Sequence, residues 1–182
     1  MRAHLYSNYG EVTSGVYVVL VLLVILFLPT TGLPAVGCPR EVPGPLSDFP
    51  LIGIELGDQV LTVALANNDS RRKQGLQNVS SLDPLEGMLF WYPRQVRTGF
   101  WMKDTKIPLQ IGFFGPDGRL QETFIMTPCK KDQASACPVY SPEKPYRYAL
   151  ELPLDSDVQL EKLSRGNVSL RLPSVLVEYK EP

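Results

Sequence analysis

The sequence predicts a mainly β domain: a compact antiparallel barrel or sandwich with one or two short helices, preceded by an N-terminal hydrophobic segment. Three observations predict it. Short stretches of alternating apolar and polar residues recur along the chain, each bounded by turn residues. Proline (17) and glycine (14) are plentiful, which favours short strands over long helices. The first part of the 182 residues reads as non-globular, which leaves about 130 for folding, enough for one core.

Residues 16–28 are apolar and uncharged, with Arg2 and His4 ahead of them and a break at Pro29-Thr30-Thr31-Gly32. At ~1.5 Å per residue they span ~20 Å, short of a ~30 Å hydrocarbon core, a length that suits a signal peptide. Extension to Val36 gives a weaker run that suits an uncleaved membrane anchor. Residues 1–37 are therefore expected to be a signal peptide or a membrane anchor. Ala35-Val36-Gly37-Cys38 also resembles a lipoprotein processing site, which makes Cys38 a lipidation candidate.

Cysteine counting agrees. An exported protein tends to pair its cysteines, and Cys38, Cys129 and Cys137 leave one over. Pairing Cys129 with Cys137 closes a small loop and leaves Cys38 for lipid. Reduced thiols in a cytosolic protein are the alternative. Residues 38–50 carry four prolines from Pro39 onward and read as a semi-extended linker. A single globular domain, residues 51–182, follows.

Within that domain Gln59–Ala66 alternates as a strand with at least one buried face. Asn67 to Ser70 supply helix caps, so a short helix is expected over 71–76, near Gly75. Residues 88–92 form a second strand, stopped by Pro93, and 99–103 a third. Residues 107–114 and 119–126 flank Gly115-Pro116-Asp117-Gly118, a β-hairpin signature. Residues 146–152 alternate as another strand, 158–163 suit a helical turn, and 168–172 and 175–179 read as short closing strands.

Composition excludes several functions. Lys plus Arg is 18 and Asp plus Glu is 19, so the net charge of −1 lacks the basic footprint of nucleic-acid binding. The single histidine, His4, precedes the apolar segment. Ser-His-Asp and Cys-His nucleophile systems and His-rich metal sites are absent from the domain. No metal site and no cofactor is expected, and any catalysis would have to use carboxylates, Lys, Tyr, Cys or backbone donors.

An ordered set of motifs carries a family resemblance. Arg72-Lys73-Gln74-Gly75-Leu76, Gly87-Met88-Leu89-Phe90, Arg97, Phe100-Trp101-Met102-Lys103-Asp104-Thr105, Ile107-Pro108-Leu109, Pro128-Cys129 with Cys137 and Tyr140, and Arg147-Tyr148-Ala149-Leu150-Glu151 follow one another. The set resembles the domain of unknown function 192 family (DUF 192) over about residues 52 to 172. The resemblance implies a compact, mainly β, often exported prokaryotic domain, and it transfers no catalytic residue. Gln110 stands where an Asp commonly follows Ile-Pro-Leu. Val79 and Asn167 also depart from the family pattern.

If residues 99–105 are extended, period two places Phe100 and Met102 on one face and Trp101, Lys103 and Thr105 on the other. Trp101 offers a flat stacking surface, Lys103 a charge for a carboxylate or phosphate, and Asp104 a polar rim. In the alternative these residues are a packing signature, with Lys103 lying over apolar surface and Asp104-Thr105 capping a turn. Arg72, Arg97, Arg147 and Glu151 are likewise candidates for an anion-binding cluster, or for ordinary salt bridges.

The expected function is an extracytoplasmic, membrane-tethered β domain, periplasmic or cell-surface, that binds a small molecule or an envelope component such as a glycan. Its other expected partner is the membrane, through the N-terminal segment; nucleic acid is not expected. One alternative is an enzyme acting on envelope glycans with Lys103, Asp104 and Glu151 as its acid–base set. The other is a purely structural or partner-binding module.

Overall fold

The structure is a computed structural model and describes residues 42, 44–129 and 137–173. The N-terminal segment with Cys38, and the closing strand expected at 175–179, lie outside the described residues. No described helix is long and apolar enough to cross a membrane.

Among the described residues nine strands and two short α-helices follow one another. They are β1 (Leu51–Leu56), β2 (Gln59–Ala66), α1 (Asp69–Gln74), β3 (Gly87–Val96), β4 (Phe100–Trp101), β5 (Leu109–Phe114), β6 (Leu120–Met126), β7 (Val139–Tyr140), β8 (Tyr146–Pro153), α2 (Leu160–Ser164) and β9 (Leu170–Arg171). Seven strands make a curled half-barrel sheet in the order β6-β5-β8-β3-β2-β1-β9, while β4 and β7 form a separate ribbon. The mainly β expectation holds. One pairing differs from the antiparallel pattern: β2 and β3 run parallel, in register from Val63↔Gly87 to Ala66↔Phe90. The long connection through α1 makes room for that crossover.

The curl brings the two ends of the sheet together. Leu120 N donates to Val168 O (3.1 Å) and Leu170 N to Gly118 O (2.8 Å). Gly118 sits at φ 76°, and a Cβ there would collide with the Leu170 carbonyl oxygen. The hairpin glycine thus serves both the turn and the closure.

Both faces of the sheet are covered. One buries Ile54, Leu61, Val63, Leu89, Phe114, Leu150 and Leu152, with Leu160 of α2. The other buries Met88, Phe90, Leu109, Ile111, Phe113 and Ala149 under Leu46, Phe49, Leu76, Val79, Leu82, Leu85 and Met102. Leu46 and Phe49 come from the proline-rich stretch ahead of β1 and are themselves buried. Because both faces are covered, β5 is buried at every residue and reads as a near-continuous apolar run. Each large side chain sealed this way contributes about 2–3 kcal/mol.

Some element bounds differ from expectation for local reasons. Helix α1 begins at Asp69, because Asn68 caps it by accepting from Arg71 N at 2.9 Å. Strand β3 continues past Pro93 to Val96. Its register with β8 shifts between Trp91 and Val96, and Pro93 is exposed there, so its missing N–H costs no ladder bond. Strands β1 and β7 were not expected. The first follows a proline-rich stretch, and the second is two residues long.

Gln110 has a structural task. Its buried amide donates to Val158 O (2.7 Å) and Pro153 O (3.1 Å), and its Oε1 accepts from Leu160 N (2.7 Å). The α2 N-cap residue, Gln159, makes no side-chain cap bond of its own. Gln110 therefore caps α2 from a neighbouring strand and pins the loop before it.

Candidate functional site

The central motif lies where the alternation of a strand is broken on purpose. Strand β4 ends at Trp101, Met102 is fully buried, and Lys103 forms an isolated parallel bridge with Cys129. Asp104 then adopts φ 57°. That left-handed turn explains the difference from the period-two expectation. Phe100 and Met102 share one face, as period two requires, and that face is the core side, but Thr105 turns inward and is buried instead of following Trp101 and Lys103.

The turn is held from several sides. The Met102 carbonyl accepts from Thr105 N (3.2 Å) and Cys129 N (3.3 Å), and the Asp104 carbonyl accepts from Asn78 N (2.8 Å). Asn78 itself has φ 64°. Asp104 and Asn78 are the non-glycine residues with positive φ among the described residues, and they are bonded to each other. Asn and Asp tolerate this region best, yet two such conformations meeting mark a place where shape is imposed.

The disulfide completes the frame. Cys129 and Cys137 are joined, with Cα atoms 5.8 Å apart, as cysteine counting predicted. Cys129 bridges Lys103, and Cys137 lies two residues before Val139, the cross-strand partner of Trp101. The bond therefore ties together the two segments that flank Trp101 and Lys103.

What this frame presents is a platform. Trp101 is 49% exposed and Val139 61%, and they stand opposite each other on the ribbon. Lys103 Nζ lies over the Trp101 ring, 5.3 Å from its centroid. An ammonium at that distance interacts favourably with the indole face. Val139 was missed by sequence reasoning. Its signal was weak, because a single Val in a two-residue strand has no periodicity to read.

The other candidates are distributed elsewhere. Arg72 and Arg147 converge on Tyr92, in the bulged part of β3. Arg72 donates to Trp91 O (2.7 Å) and Asp69 Oδ1 (2.7 Å) and lies 5.0 Å from the Tyr92 ring centroid. Arg147 Nε donates to Tyr92 O (3.4 Å), and its guanidinium lies 5.8 Å from the Tyr148 ring centroid. Strand β2 has stopped pairing with β3 there and β8 is shifting register, so both arginines satisfy backbone carbonyls. Arg97 is exposed in the loop ahead of β4.

Glu151 is buried within the sheet, opposite Met88 of β3 and Ile111 of β5. Burial pushes its carboxyl up from 4.5 to about 8. Tyr146, also buried, donates to Thr98 O (2.8 Å), and burial holds its phenol above the usual range.

A cleft of about 580 Å³ opens at one end of the sheet, lined by Leu82, Leu85, Ile107, Pro108 and Pro153 with Asp83, Glu86 and Asp155 among its walls. A neighbouring cleft of about 460 Å³ shares Glu86 and Asp155. Neither includes Trp101, Lys103 or Glu151 in its walls. Among the described residues no group of three His, Cys, Asp or Glu side chains is placed to hold a metal ion.

Fold and platform together define a small curled-sheet β domain with a disulfide-braced ribbon. The chain belongs to the DUF192 family, described as an uncharacterized ACR, whose pattern matches residues 52–161. No curated protein matches the sequence. Two crystal structures share the fold. One, from Sinorhizobium meliloti 1021, is described as a suggested transcription regulator. It is 25% identical with a TM-score of 0.56, over 68% of this chain and 95% of that one. The other is a protein of unknown function from Novosphingobium aromaticivorans DSM 12444. It is 21% identical with a TM-score of 0.55, over 79% of this chain and 98% of that one.

Proposed function

We propose that this protein is an extracytoplasmic β domain, tethered to a membrane by its N-terminal segment, that binds a small molecule or envelope component on the Trp101–Lys103 platform. The half-exposure of Trp101 carries this reading. A large aromatic ring is normally sealed in the core, and here it stays half-exposed, with the Lys103 ammonium over it, on a ribbon that a disulfide and two left-handed residues hold in place. Rigid presentation of a flat ring beside a cation suits recognition, since little side-chain freedom remains to be lost on binding.

The disulfide supports the export half of the reading, because such bonds persist in oxidising compartments. The apolar run at 16–28 supports the tether. The regulator description of one structural neighbour gains no support from a net charge of −1.

The test is a thermal-shift screen of the full chain in detergent against glycans, nucleotides and small carboxylic acids, with Trp101→Ala run in parallel. A ligand that raises the melting temperature of the wild type but not of Trp101→Ala is expected. If every stabilising ligand acts equally on both proteins, the platform is not the site. Intact mass of the membrane fraction reports the tether: an uncleaved chain or an acylated Cys38 is expected, and a soluble, unmodified product overturns it.

A further inference from the structure

The platform is small, and its size narrows what it fits. Among the described residues its apolar part consists of Trp101 and Val139, directly opposed on neighbouring strands. Opposed side chains on a ribbon stand ~5 Å apart, so the apolar footprint matches one or two sugar rings. A stable protein interface needs roughly 800 Å² from each partner, built from 20–30 residues. An interfacial membrane contact needs a broad apolar stripe flanked by several cations. Two side chains supply neither.

The charge narrows it further. Lys103 Nζ lies over the Trp101 ring, 5.3 Å from its centroid, so the cation and the indole share one surface. Across residues 101–106 there are two lysines, Lys103 and Lys106, against one acid, Asp104. A neutral sugar stacked on Trp101 would make no use of the Lys103 charge. A sugar bearing a carboxylate places an apolar C–H face on the indole and an anion within reach of the ammonium.

We infer that the ligand class is an acidic glycan, a chain of uronic-acid or otherwise carboxylated pyranoses, bound with a ring on Trp101 and Val139 and a carboxylate on Lys103. This rests on the platform reading above and adds the identity of the ligand. Trp101 supplies contact area, and Lys103 supplies selection for charge.

The probes are hexagalacturonate, its neutral counterpart hexagalactose, and sodium acetate. Binding to the full chain is followed by tryptophan fluorescence and calorimetry at low salt. Hexagalacturonate is expected to bind at least tenfold more tightly than hexagalactose, and acetate alone not to compete at matched carboxylate concentration. Lys103→Met should abolish the tenfold preference while leaving the weaker neutral-sugar binding in place. Trp101→Ala should remove binding of both sugars, and Trp101→Phe should retain part of it. An unchanged melting temperature in each variant shows that the fold is intact.

Equal binding of both hexasaccharides, lost in Trp101→Ala, overturns the acidic class and keeps the platform. Acetate competing as well as hexagalacturonate overturns the sugar and leaves a bare anion site. No binding of hexagalacturonate, or binding that survives Trp101→Ala, overturns the inference outright.

Discussion

The segment that follows the ribbon strand and the middle of the seven-stranded sheet each hold a charged residue of the family motifs, Lys103 and Glu151, and treat it in opposite ways. Lys103 sits half-buried beside a half-exposed indole, with its ammonium over the ring. Glu151 sits in the middle of the sheet between Met88 and Ile111, and burial pushes its carboxyl up to about 8. The sheet is held by long registers and two apolar layers, whereas the ribbon has two residue pairs and a disulfide. The comparison teaches that motif density has two sources here. In the sheet it records packing, and on the ribbon, in the function proposed above, it records presentation.

The largest expected effect that sharpens this comparison is at Glu151. The unfolded chain releases this proton near 4.5, whereas the fold keeps it to about 8. Its contribution to stability is therefore fully present below 4.5 and is lost as pH rises through 8. Glu151→Gln removes that loss. Between about pH 4 and pH 9 the stability of the variant relative to wild type should rise by up to about 5 kcal/mol, read from urea midpoints. A pH-independent difference would mean that Glu151 is not buried as a neutral acid.

Next is the brace. Replacing Cys129 and Cys137 together by serine should cost ~2–3 kcal/mol in the chain-entropy account of a small loop. Hydrogen exchange should show the loss concentrated at β4 and β7, with the amides of β3, β5 and β8 nearly unchanged. Protection lost evenly across the sheet would deny the ribbon its separate status.

The smallest of the three is at Gln110. An Asp there keeps an acceptor for Leu160 N but removes both donations to Val158 O and Pro153 O. Gln110→Asp should cost about 1–3 kcal/mol by thermal melting, chiefly from the Val158 carbonyl losing its donor, since Pro153 O still accepts from Ser156 N. It should leave ligand binding on the ribbon unchanged, since Gln110 belongs to the sheet.

Much of this was legible in the chain. Alternation in Gln59–Ala66 and at 146–152, and the Gly115-Pro116-Asp117-Gly118 turn, placed strands and a hairpin, because side-chain period and turn chemistry are local properties. Cysteine counting placed the Cys129–Cys137 bond for the same kind of reason. The sequence alone also determined which chemistries are absent, because a domain without histidine lacks imidazole whatever its shape. Family membership, too, was carried by ordered motifs.

Other features were decided only by tertiary structure. The parallel β2–β3 pairing depends on where the crossover returns. Thr105 turned inward because Asp104 is held in a left-handed turn by Asn78 and the Cys129 segment, which are distant in sequence. Arg72 and Arg147, grouped with Glu151 as one anion cluster in one reading of the sequence, instead serve the carbonyls of Trp91 and Tyr92 where β3 leaves its ladder. Val139 joined Trp101 through a ribbon too short to have a period. Each of these depends on which segments meet across space, and burial, charge state and exposure are properties of that meeting, not of the residues taken one by one.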